Sequence, residues 1–195
     1  MSLPHYSLGP MNTTTRTTLA AVIATAGLAL PAQQAQAAEP LPSKAQWLAD
    51  VAAVMRDGKP YLDERGAGGG NKLAIVLDID NTALQSHYDP GKATPPVLEF
   101  ARYAKSLGFS VLFASYRPEA ESARYAVRTA GYPVDDMCVR APADSGKAAT
   151  KQRCRRQYTD AGYTITANVG NRDTDFVGGD YEKAFKLPDY DNQLS

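Results

Sequence analysis

The chain has 195 residues, with 21 basic and 21 acidic side chains and two histidines, and so carries no formal net charge at neutral pH. That balance argues against a nucleic-acid polymer or an anionic membrane surface as partner. The length, with 44% hydrophobic residues, suits one domain with a real core rather than two.

Residues 1–38 read as export machinery. Met11 reads as the native start, with residues 1–10 an upstream extension. Arg16 supplies a positive n-region, and the twelve residues from Leu19 to Leu30 supply an apolar h-region. Ala35-Gln36-Ala37 then gives a small-x-small cleavage pattern, with the cut after Ala37 or Ala38. The alternative is a membrane anchor, but the apolar run is short of the roughly 20 residues that span a bilayer. Arg16 is the only charge in this segment, which leaves 20 basic against 21 acidic residues in 39–195. No second apolar span follows and no Cys lies at the junction. The expectation is a secreted domain over residues 39–195, free of the membrane after cleavage.

Ser43 caps a predicted helix to about Asp57, with Trp47, Val51 and Met55 on its apolar face and Gly58 ending it. Ala67-Gly68-Gly69-Gly70 reads as a linker. It is no phosphate loop, because no Lys-Ser/Thr follows and the glycines precede the strand. Leu73 to Leu77 predicts a strand buried on both faces, and it runs straight into Asp78-Ile79-Asp80-Asn81-Thr82. Residues 83–93 are irregular and carry His87, Tyr88 and Pro90. Thr94 and Pro95 open a second helix, with Val97, Phe100, Ala101, Ala104 and Leu107 as its stripe and Gly108 closing it. Phe109 to Ala114 is a second strand, Glu119 to Ala130 a helix, and Met137 to Val139 a short third strand. Residues 147–161 form a basic helix, Tyr163 to Val169 a fourth strand and Ala184 to Leu187 a fifth. Alternation of strand and helix predicts an α/β fold, a parallel sheet with helices on both faces.

Open α/β sheets place their sites at the carboxyl ends of the strands. Strand one ends in Asp78 and Asp80, strand two in Ser115-Tyr116-Arg117, and strand four in Gly170-Asn171-Arg172-Asp173-Thr174-Asp175, while the preceding helix carries Lys151. Paired carboxylates can divide the work of nucleophile, proton carrier and hard-metal ligand. Taken alone, Asp and Asn after a strand also make an ordinary turn. Ser115 could cap the next helix instead. Lys151 sits among Lys147, Arg153, Arg155 and Arg156, and such a run is commonly a solvated face. Cys138 and Cys154 could form a disulfide or remain two buried thiols.

The order Asp-x-Asp-x-Thr, Ser, Lys and a Gly-led acidic loop resembles the haloacid dehalogenase (HAD) superfamily of phosphohydrolases. The spacing Lys151-x-x-x-Arg155, Gly162-Tyr163-x-Ile165, Val169-Gly170, Gly178-Gly179 and Phe185-Lys186-Leu187-Pro188 resembles its secreted acid phosphatase branch, which includes the class B enzymes and the plant vegetative storage proteins. The resemblance covers residues 43–190. It implies a Rossmann-like three-layer α/β/α fold with a mainly parallel five-stranded sheet and a minimal cap. It implies that Asp78 is the nucleophile, that Asp80 is the acid and base, and that Ser115 and Lys151 bind the phosphoryl group. It further implies Mg2+ held by Asp78, the backbone carbonyl of Asp80, Asn171 and Asp175.

The implied substrate is a small-molecule phosphate monoester; neither its identity nor the oligomeric state is legible. A non-catalytic storage or binding protein on the same scaffold is the alternative, and loss of the nucleophile would mark it. Two departures stand out. The family's metal loop usually carries Asp where this chain has Asn171, an uncharged ligand expected to weaken the metal unless Asp175 or Asp173 compensates. Tyr116 stands where a small Gly is common. His87 and Tyr88 fall where a cap would lie, and a structural role is the default for a lone His.

Overall fold

The computed structural model describes residues 40–194, so the expected leader, residues 1–38, lies outside the described residues. Leu73–Leu77 (β1), Ser110–Ala114 (β2), Asp136–Cys138 (β3), Thr164–Gly170 (β4) and Lys183–Lys186 (β5) make one sheet in the order β3-β2-β1-β4-β5. Every pairing is parallel. β1 takes the centre because both its faces are apolar. Ile75 and Leu77 enter one core cluster, while Ala74 and Val76 enter the other.

Helices cover both faces, giving the expected three layers. Lys44–Met55 (α1), Gly58–Ala67 (α2), Pro95–Ser106 (α3) and Ala120–Thr129 (α4) send Trp47, Leu62, Phe100 and Val127 into the first cluster. Lys147–Asp160 (α5) closes the second face with Cys154 and Tyr158. Residues 83–93 form no helix. They are tied down by isolated bridges from Leu84 to Asp80 and to Ala93, which makes a minimal cap. Among the described residues no helix is long and apolar enough to cross a membrane.

One expectation fails at Gly58. It does not end a helix but begins α2, a helix that composition did not signal. A Cβ there would lie 2.8 Å from Phe100 Cδ2, so this glycine permits close approach to α3 rather than a left-handed turn. Ser43 does cap α1, its hydroxyl accepting the Gln46 N–H at 3.2 Å.

β1 and β4 are out of simple step. The register shifts between Ala74 and Ile75, leaving Thr166 as the extra residue opposite them. Its groups are satisfied locally: Thr166 Oγ1 donates to the Ala74 carbonyl at 2.9 Å, and the Thr166 carbonyl accepts from Tyr61 Oη at 2.7 Å. Past the bulge the ladder runs on to the Asp78 N–H, which donates to the Val169 carbonyl at 2.9 Å. The first site residue is therefore still held by the sheet.

Of the two readings open for the cysteines, the structure has the bridge: Cys138 and Cys154 are joined, tying the end of β3 to α5 across a sequence separation of 16. Closing a loop of that length stabilises by about 3 kcal/mol in the chain-entropy account. The denatured protein should show no titratable thiol before reduction, and reduction should lower the urea midpoint by the equivalent of about 3 kcal/mol. Two titratable thiols, or a midpoint indifferent to reduction, would contradict the bridge.

Candidate active site

Three strand ends and one helix meet beside the carboxyl end of β1, between β1 and β4, where the strand order reverses: the chain steps outward from β1 to β2 and β3, then crosses back to β4 on the other side of β1. A cleft of about 240 Å³ opens there, walled by Asp78, Asp80, Ser115, Tyr116, Arg117, Lys147, Lys151, Asn171, Arg172, Thr174 and Asp175. Asp78, Asp80, Ser115, Lys151, Asn171 and Asp175, the residues that the family resemblance implies for the site, all line it.

The buried centre is an ammonium between two carboxylates. Lys151 is 4% exposed and Asp175 3%, with Asp78 at 9%. Lys151 Nζ donates to Asp78 Oδ1, to Asp175 Oδ1 at 2.8 Å and to the Ala114 carbonyl at 2.7 Å. All three donors of the ammonium are used. Lys151 reaches the site because it shares one helix face with Cys154 and Tyr158, at i+3 and i+7, and that face packs on the sheet. Lys147, one turn earlier, lies on the cleft wall instead.

These surroundings set the protonation. Burial pushes the Asp78 carboxyl up to about 6, with Lys151 pulling the other way. Burial alone would lower Lys151, but Asp175 and Asp78 outweigh it and raise it above the ordinary lysine value. Lys151 is thus a fixed positive charge. Two carboxylates sharing one ammonium leave a buried excess of negative charge.

Asp80 sits in a different environment. Arg117 grips it with two bonds, Nε to Oδ2 at 3.0 Å and Nη2 to Oδ1 at 2.7 Å, and Ser86 Oγ donates to Oδ1 at 2.6 Å. Burial acts to raise Asp80, yet these donors prevail and hold it below the usual carboxylate range. Two carboxylates separated by one residue are thereby driven in opposite directions. Asn81, directly after Asp80, turns the chain in the left-handed region (φ 54°), and its side chain accepts the His87 backbone N–H at 2.8 Å.

Ser115 is buried on the cleft wall, its Oγ accepting the Arg117 N–H at 3.2 Å. It caps no helix, since α4 begins after Glu119. Tyr116 lies beside it with the Arg140 guanidinium 5.0 Å above its ring. Tyr88 does not reach the cleft. It stacks on Trp47 at 4.9 Å between ring centroids, its hydroxyl donating to the Pro42 carbonyl, and His87 packs edge-on against it. Asp173 points away: its side chain is 90% exposed and pairs with Lys186 at 3.4 Å.

The loop after β4 is braced from behind. A single 3-10 turn, Asp173–Asp175, returns Asp175 to the site, where its Oδ2 accepts the Arg172 N–H at 2.9 Å. Arg155, fully buried, donates to the carbonyls of Asp175 at 2.5 Å, of Gly179 at 2.7 Å and of Val177. So the basic run on α5 is not simply a solvated face. One of its arginines is the scaffold of the acidic loop. Composition gave no sign of that, nor of the Arg117 clasp on Asp80. In each case the useful signal was spacing, four residues after Lys151 and two after Ser115.

Hard oxygen donors face the cleft together. Thr82 Oγ1 lies 3.2 Å from Asp78 Oδ2 and 3.5 Å from Asn171 Oδ1, so these two oxygens converge on one hydroxyl. With the excess negative charge, such a donor set suits a hard divalent cation.

A family model described as HAD superfamily, subfamily IIIB (acid phosphatase), matches residues 88–193, more than half of the chain. The matched stretch holds Ser115, Lys151, Asn171 and Asp175, while Asp78 and Asp80 lie just before it. No curated protein matches the chain.

Gly170 tests the packing of this loop. A Cβ there would fall 2.4 Å from Asp175 Oδ2 and 2.6 Å from its Cγ, and Asp175 is pinned by Lys151 and the Arg172 N–H. Gly170→Ala should therefore cost about 1–3 kcal/mol in urea denaturation, as overpacking does. An unchanged midpoint would contradict the contact of Asp175 with the β4 end.

Proposed function

Because the chain belongs to the acid phosphatases of the HAD superfamily, subfamily IIIB, it is a phosphatase, and we propose that it hydrolyses small-molecule phosphate monoesters through an aspartyl-phosphate on Asp78, with Mg2+ in the site. The observation that carries the reading is the buried Asp78–Lys151–Asp175 cluster at the mouth of β1. Lys151 holds Asp78 in place and offers positive charge where a phosphoryl group would sit.

In the first step an Asp78 oxygen attacks phosphorus and the bond to the leaving oxygen breaks. Asp80 supplies the proton that the leaving alkoxide needs. In the second step water attacks the aspartyl-phosphate, Asp80 takes the water's proton, and the bond from phosphorus to Asp78 breaks. Inorganic phosphate leaves and both carboxyls return to their starting state. Asp80 is anionic while Arg117 clasps it, so the proton it gives in the first step must be taken up from solvent once substrate is bound. A dianionic phosphate beside Ser115 competes for that guanidinium, and loosening the clasp lets Asp80 hold a proton.

Asp78, the Asp80 carbonyl, Asn171 and Asp175 would hold the magnesium ion, which offsets the repulsion between carboxylates and the phosphate dianion. Ser115 would contact a phosphoryl oxygen. We also propose export through cleavage of residues 1–38, a reading supported by the Cys138–Cys154 bridge, since cytosolic thiols are kept reduced.

Hydrolysis of para-nitrophenyl phosphate, with magnesium and with EDTA, tests the assignment. Magnesium should support turnover and EDTA should abolish it. Asp78→Asn should lower kcat by more than about 10⁴-fold with the urea midpoint kept or raised. Asp80→Asn should lower it by about 10²–10⁴-fold. Near wild-type turnover in Asp78→Asn would refute the nucleophile, and turnover indifferent to EDTA would refute the metal.

A further inference from the structure

Asn171 is 1% exposed and its amide is committed. Nδ2 donates to the Leu194 carbonyl at 2.7 Å. A carbonyl can only accept, so the nitrogen must be the half of the amide that faces Leu194. The oxygen half is thereby turned the other way, toward the Thr82 hydroxyl that also meets Asp78. The orientation of Asn171 in the site is set by a backbone atom 23 residues later.

The segment that carries this atom is firmly held. Leu194 is fully buried in the main core cluster. Tyr190 Oη donates to Asp50 Oδ2 on α1 at 2.7 Å, and Arg172 Nη1 donates to the Asn192 carbonyl at 2.9 Å. Tyr190, Asp191 and Asn192 all lie in the left-handed region, at φ 48°, 54° and 68°. Residues with a Cβ adopt that conformation at a cost, and a run of three is held only by its surroundings. The result is a turn that aims the Leu194 carbonyl at Asn171.

We propose that the segment Tyr190–Leu194 is a positioning element of the active site, orienting Asn171 so that its amide oxygen faces the metal. This rests on the phosphatase reading above and adds a reason for the amide at 171. A carboxylate there would set an oxygen against the Leu194 carbonyl oxygen in place of its close donor at 2.7 Å, leaving that carbonyl only the longer bond from Arg172 Nη1 at 3.5 Å. What looks from the sequence like a weakened metal ligand is a ligand matched to its backbone partner, and the segment and the amide act as one unit.

Mn2+ binding to the substrate-free protein, followed by calorimetry, tests this without reference to turnover. Leu194→Gly removes the buried anchor and lets the carbonyl drift; it should weaken Mn2+ binding by roughly tenfold. In an Asn171→Ala background the same change should have no further effect, because the amide it orients is gone. Tyr190→Phe, which removes one hydrogen bond and no core packing, should weaken binding in the same direction by roughly threefold, and it decides the matter if Leu194→Gly does not fold. Wild-type affinity in the folded segment variants would overturn the proposal, as would an equal loss with and without the Asn171 amide. Failure of the wild type to bind Mn2+ would overturn the metal reading itself, and this one with it.

Discussion

A lysine ammonium almost wholly buried, shared between Asp78 and Asp175, is the constraint around which this protein is arranged. Removing a charge from water is costly unless partners replace the lost hydration, and breaking such a cluster leaves a charge stranded. Lys151 is satisfied only if β1, β2, the β4 loop and α5 all stand where they do, because its three bonds go to groups on the first three. The same cluster that defines the chemistry therefore also fixes the relative placement of the secondary structure. Its negative excess makes the site receptive to a cation, and the Lys151 charge makes it receptive to a phosphoryl group.

Much of the remaining polar architecture supports these few atoms. The disulfide pins α5 to β3 within one turn of Lys151. Arg155, one turn further along the same helix, ties down the carbonyls behind the acidic loop, so the helix that presents the ammonium also shapes the loop that receives it. Gly170 leaves space for the Asp175 carboxylate against the end of β4. On the opposite wall Arg117 holds Asp80 anionic while burial pushes Asp78 upward, so two chemically identical side chains on one short loop sit in opposed environments.

The centre of this arrangement was legible in the sequence, and its periphery was not. A buried strand must be apolar on both faces, so Leu73–Leu77 announced itself, and Asp78 and Asp80 were conspicuous for following it. Lys151 stood out from its basic neighbours only through spacing, and its i+3 and i+7 partners on the buried face explain why spacing worked. Gly58 misled because glycine has two uses, the left-handed turn and the close approach, and only the Phe100 ring tells them apart. What Arg117 and Arg155 brace was hidden for a related reason: an arginine whose donors are spent on internal partners has the same one-letter signature as one on the surface. The bond from Asn171 to Leu194 joins residues far apart in the chain, and no local pattern reports it.

The claim on which the chemistry turns is that Asp78 becomes phosphorylated. Acid quenching during turnover of a phosphate monoester, followed by borohydride reduction and peptide mass spectrometry, reads this directly, because a reduced aspartyl-phosphate becomes homoserine. The account predicts homoserine at position 78 and at no other acidic residue, absent when substrate is withheld. Homoserine at Asp80 or Asp175, or active enzyme that never yields it under conditions where the intermediate accumulates, would contradict it.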